Sequence, residues 1–175
     1  NGEVHTEDAT GVVGYSAVFA EVQLNDMFGI GIDYVPGDLT SETAETTLDD
    51  LKGSGDGASS KSTNSVALSF EDITQIYATL NLGENLYVKA GILTVDVITN
   101  ESMGTGSTYD NTDMEGDVFG IGYDRELDNG LFFRIEGQYM ELEDKSLTAS
   151  NNSENTVSLK AFEGASARIA IGKAF

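Results

Sequence analysis

Little in this chain suits nucleophilic or acid–base catalysis. His5 is the only histidine and cysteine is absent, so a Ser/His/Asp or Cys/His centre has little to work with. Carboxylates are plentiful, with 30 Asp and Glu against 9 Lys and Arg, yet nothing singles out one pair as glycosidase acid and nucleophile. Gly104-Thr105-Gly106 and the run GIGIDY faintly echo nucleotide loops, but no strand-to-helix context supports them. The chain therefore reads as a non-enzyme without a cofactor. Its crowded acids are the other candidate ligands: Asp38, Glu42, Glu45, Asp49 and Asp50 lie in one polar stretch, and Asp110, Asp113, Glu115 and Asp117 in the next. Oxygen ligands in such numbers suit divalent cations such as calcium, although no spacing matches a defined calcium loop, and a solvated acidic surface is the plainer reading. A net charge of −21 argues against nucleic acid as a partner, because nothing here could neutralise a phosphate backbone.

The elements that must carry these groups are strands. Twenty glycines, one proline and many Thr, Ser and Asn favour strands and turns over helices. No apolar run approaches the length of a membrane helix, and NGEVHTEDAT has neither the basic start nor the apolar centre of a signal peptide. Apolar residues recur with period two. In FGIGIDY, Phe28, Ile30, Ile32 and Tyr34 face one way, and Gly29, Gly31 and Asp33 the other. In FGIGYD, Phe119, Ile121 and Tyr123 alternate with Gly120, Gly122 and Asp124. The alternation predicts strands near 11–24, 27–36, 64–82, 86–99, 115–127, 131–144 and 155–175. Two of them break phase: Asp72 and Thr74 fall on the apolar face of 64–82, and in 86–99 the apolar phase slips to Val95 and Val97. A bulge and a strand end projecting beyond a membrane both explain such a slip.

The connections alternate in length. Asn25-Asp26, Gly83-Glu84-Asn85 and Asp128-Asn129-Gly130 are tight turns, with long polar stretches between them. Short turns at one end and long loops at the other are the layout of an outer-membrane barrel. The segments FEDITQIYATL, YVKAGILTVDVITNESMGTGSTY, GIGYDRELDNGLFFRIEG and the terminal ARIAIGKAF resemble the small eight-stranded outer-membrane β-barrels of Gram-negative bacteria. That is the OmpA/OmpX-like porin superfamily, and especially the acidic barrels of marine alphaproteobacteria. The resemblance implies one domain over residues 1–175, an all-β, antiparallel up-and-down transmembrane barrel of eight strands with about seven visible. The odd count leaves two readings: a first strand lying before Asn1, or a fold-back of 155–175 around Glu163-Gly164.

It further implies an outer-membrane location with lipid and lipopolysaccharide as partners, to which divalent ions at the acidic loops could bridge, and it leaves the oligomeric state open. The barrel-assembly machinery of that family reads the last strand, which gives Ile169, Ile171 and Phe175 a recognition role. Lys173, where an aromatic is usual, departs from the family pattern. In such a barrel the charged faces point inward and gather Glu21, Asp33, Asp124 and Glu136 with Lys89, Arg134 and Arg168. Either a gated ion path or a salt-bridge plug follows. Tyr34, Tyr123, Tyr139 and Phe175 become membrane-interface aromatics, or else the core packing of a soluble sandwich. The function expected is structural, adhesive or that of a narrow pore. Its rivals are a soluble barrel with a ligand cavity and a surface or phage-receptor module acting through its loops.

Overall fold

A computed structural model describes residues 11–40, 44–50, 60–102, 108–150, 156–160 and 162–175. His5, Glu42 and Gly104-Thr105-Gly106 lie outside these residues. The described residues form strands and no helix: β1 (Val18–Gln23), β2 (Phe28–Val35), β3 (Leu39–Thr40), β4 (Ala44–Asp50), β5 (Ser60–Asn81), β6 (Leu86–Ser102), β7 (Thr112–Glu126), β8 (Leu131–Leu142), β9 (Lys145–Thr148), β10 (Thr156–Leu159) and β11 (Phe162–Lys173).

The long strands form one antiparallel meander in the order β1-β2-β5-β6-β7-β8-β11. Each tight turn closes on the strand that follows it: Leu24 donates to the Phe28 carbonyl at 2.8 Å, Leu82 to Leu86 at 2.7 Å and Leu127 to Leu131 at 2.7 Å. The Asn25 side chain accepts from the amides of Met27 and Phe28, both at 2.9 Å, which is how asparagine shapes a turn. The chain end sits at this same edge, where the Ala174 amide donates to the Gly130 carbonyl at 2.8 Å. The strand ends that the long connections join, Val35 and Ser60, Ser102 and Thr112, and Leu142 and Phe162, lie at the opposite end. Among the described residues β1 and β11 are each paired on one side only, so the sheet is a curled half-barrel with a seam.

Several boundaries differ from the sequence reading. The strand expected over 11–24 begins only at Val18, which pairs with Tyr34. Its neighbour β2 stops at Val35 because Pro36 offers no amide to a ladder, and Gly37 turns the chain away with φ of 138°. Within 155–175 the described residues form two strands, Thr156–Leu159 and Phe162–Lys173, and Glu163-Gly164 lie inside the second rather than between them. There β10 leaves the main sheet to pair with β9. The polar stretches are not all loop. β4 pairs along the upper part of β5 and takes in Glu45, Asp49 and Asp50, while Asp113, Glu115 and Asp117 belong to β7. Ser- and Thr-rich segments can extend a ladder this way because its hydrogen bonds are backbone bonds, indifferent to the side chain.

The two phase breaks have different causes. In β5 the register shifts between Glu71 and Thr74, and Asp72 takes φ of 51°: a bulge. In β6 nothing is inserted. Its odd-numbered residues point inward from Tyr87 through Val97, and only their chemistry changes.

Candidate functional site

The concave side of the sheet carries the polar groups. Gly29, Gly31 and Asp33 of β2 turn inward while Phe28, Ile30 and Ile32 stay exposed, and the same holds along β7, β8 and β11. Lys89 and Glu136 are 2% and 0% exposed, whereas Ile121 and Ile169 are 59% and 79% exposed. A water-soluble fold shows the reverse, because desolvating a charge costs far more than exposing an isoleucine.

The buried charges meet in one network. Lys89 lies 3.3 Å from Glu136 and 3.8 Å from Asp33, and donates to the Gln138 side chain at 3.2 Å. Arg168 pairs with Asp33 and, at 2.9 Å, with Glu136. Arg134 bonds Glu21 at 2.9 and 3.3 Å and Asp124 at 2.9 Å. Three cations thus face three carboxylates with little exposure, Glu21, Asp33 and Glu136, while Asp124 is one-third exposed at the margin. Matching charge in this way is what makes burial tolerable.

Two tyrosines that the sequence reading did not single out complete the network. The Tyr77 hydroxyl donates to Glu21 at 3.2 Å, with the Lys89 ammonium 4.2 Å from its ring centroid. The Tyr87 hydroxyl donates to Glu136, and the Arg134 guanidinium lies 4.5 Å from the Tyr87 ring centroid. Both rings lie over glycines directly opposite in the ladder, Tyr77 over Gly31 and Tyr87 over Gly122. A Cβ on Gly31 would come within 2.5 Å of the Tyr77 ring, so the glycines of GIGIDY and GIGYD make room for aromatics. A glycine that faces an aromatic across a ladder was the available signal; finding it required the pairing register.

All seven long strands therefore contribute to the network: Glu21 from β1, Asp33 from β2, Tyr77 from β5, Lys89 from β6, Asp124 from β7, Glu136 from β8 and Arg168 from β11. Toward the long-loop end the concave side becomes apolar. Leu93, Val95, Val97, Met114 and Val118 form a buried cluster, with Phe70, Met140, Leu142 and Leu159 packed on it. This concave side thus holds ion pairs at one level and hydrocarbon at the next.

The remaining candidates lie on the convex face or at the rims. Tyr34 donates to Asp72 at 2.5 Å beside the bulge, and Tyr139 donates to Glu163, toward the long-loop end. Tyr123 packs on Phe133 at 6.2 Å between centroids, toward the short-turn end. Phe175 is fully exposed beyond β11, and Ile169 and Ile171 point outward on the same strand. Lys173 reaches the Asn129 carbonyl at the tight turn. The outward acids form direct cross-strand rows, Asp117 opposite Glu141 and Glu141 opposite Glu163. Among the described residues no group of three or more His, Cys, Asp or Glu is arranged to hold a metal ion. Comparison with protein-family models, curated proteins and solved structures yields no match.

Proposed function

We propose that this chain is a non-enzymatic β-barrel of a bacterial outer membrane that displays an acidic outer surface. One observation carries the reading: the sheet buries Lys89, Arg134, Glu136 and Asp33 on its concave side and leaves Ile30, Ile76, Phe119, Ile121 and Ile135 exposed on its convex side. Hydrocarbon is the solvent that makes such an inversion favourable, and a closed barrel is the only sheet in which lipid meets no unpaired edge. Closure across the seam calls for a strand antiparallel to both β1 and β11, since an even number of antiparallel steps leaves these two running the same way. The seam is already bridged by side chains, with the Tyr15 hydroxyl 3.0 Å from Ser166 Oγ. A soluble ligand-binding barrel would keep its apolar face inside, which this polarity opposes.

The filled lumen makes the barrel a closed support and gives the work to its outer surface, in adhesion or as a receptor. On the same reading Ile169, Ile171 and Phe175, all outward-facing and accessible, form the strand end that a barrel-assembly machinery takes up. The test is flotation with phospholipid vesicles followed by planar-bilayer recording. The chain should float with the lipid and carry no current; failure to float contradicts the membrane reading, and steady unitary currents contradict the closed lumen.

A further inference from the structure

We infer that only the short-turn half of the wall touches lipid, and that above a defined level the same strands stand in water as a stalk around an apolar core. This rests on the membrane reading and adds where the membrane ends. Strand β6 shows the change without any break in its geometry. Its outward residues run Leu86, Val88, Ala90 and Ile92, then Thr94 and Asp96. Its inward residues run Tyr87, Lys89 and Gly91, then Leu93, Val95 and Val97. Outside turns polar at the level where inside turns apolar, so the solvent on the convex face changes from hydrocarbon to water there.

The neighbouring strands change along one ladder row. On β7 the outward face passes from Phe119 to Asp117, on β8 from Tyr139 to Glu141, and on β11 from Ala165 to Glu163. These residues are register partners: Phe119, Tyr139 and Ala165 form one ladder row, and Asp117, Glu141 and Glu163 the next. Ile92 of β6 lies opposite Asp117, so β6 changes within one outward position of that line. The inward face follows on β8, where Gln138 gives way to Met140 and Leu142, both packed on the apolar cluster.

A change carried across four neighbouring strands, within one outward position, is what a continuous solvent boundary produces. A protein partner would cover one side of the curl, whereas the apolar band occurs on every long strand from Val22 of β1 to Ile171 of β11. The dimensions agree. The outward apolar stretch Leu131–Tyr139 matches the ~9–11 residues with which a tilted strand crosses a bilayer. Strand β6, at 17 residues, is about 55 Å long at ~3.3 Å per residue, far beyond the ~25 Å apolar band of a membrane barrel.

The chain has no tryptophan, so single tryptophans report their own surroundings. Two pairs span the line, Ile121→Trp with Glu115→Trp on β7, and Ile135→Trp with Thr94→Trp on β8 and β6, and either pair suffices if one variant misfolds. Each is reconstituted into phosphatidylcholine vesicles with brominated acyl chains and also titrated with acrylamide. Ile121→Trp and Ile135→Trp should lose most of their emission to brominated lipid and be shielded from acrylamide. Glu115→Trp and Thr94→Trp should do the opposite. Equal quenching by brominated lipid above and below the line overturns the stalk while leaving the membrane barrel standing. No lipid quenching at any position overturns both.

Discussion

Glu136 is the residue on which most of the interior depends. It accepts from Tyr87 and faces both Lys89 and Arg168, so neutralising it leaves two buried cations sharing Asp33. Removing one partner of a buried ion pair costs about 3–5 kcal/mol, because the surviving charge stays desolvated. Glu136→Gln should lower unfolding stability in vesicles by that order. Tyr87→Phe, which removes one hydrogen bond to a charged group, should cost about 1.5–3 kcal/mol. Urea titration followed by circular dichroism checks the ranking, and a Glu136→Gln loss below that of Tyr87→Phe would remove Glu136 from the centre of the network. The charged members were legible in the sequence, since Arg134 and Glu136 alternate with Phe133 and Ile135. Their partners were not: Arg168 meets Asp33 across 135 positions of sequence, and only the curl of the sheet brings them together.

At the scale of the strand, the polar lumen fits around its aromatics because glycines stand opposite them. Gly122 faces Tyr87 in the ladder, and a Cβ placed there meets the ring well inside contact distance. Gly120, two residues away on the same face, has its nearest neighbour 3.3 Å from a placed Cβ. Gly122→Ala should therefore destabilise by about 1–3 kcal/mol, the usual cost of overpacking, and by more than Gly120→Ala. Adding Tyr87→Ala should recover part of the loss. Equal effects at the two glycines, read from the same urea titrations, would mean that the Tyr87 ring lies elsewhere. Period-two alternation made the long strands legible. It could not separate the bulge at Asp72 from the change of surroundings along β6, because both shift the apolar phase. It also left β4 and the start of β5 as loop, since their Ser, Thr and Asp residues carry no apolar period.

For the whole molecule, one polarity rule organises what the parts show: the short-turn half faces outward with Ile, Phe and Leu, its concave side holds balanced ion pairs, and the concave side of the long-loop half is a small apolar core beneath acidic outer faces. Strand directions and the placement of short and long connections followed from turn residues that act locally. The odd strand count pointed to an unpaired edge, but not to which side chains meet across it, because a strand edge records nothing in its own sequence about what it faces. The central claim is that hydrocarbon, not water, is the solvent of the convex face in its short-turn half. Its most direct measurement is the solution state of the folded chain without amphiphile, by size-exclusion chromatography with circular dichroism, beside its gel mobility before and after boiling. The account predicts aggregation in plain buffer, β-structure in detergent or vesicles, and a heat-dependent shift in mobility. A monodisperse β-rich monomer in plain buffer, with no mobility shift on boiling, would contradict it.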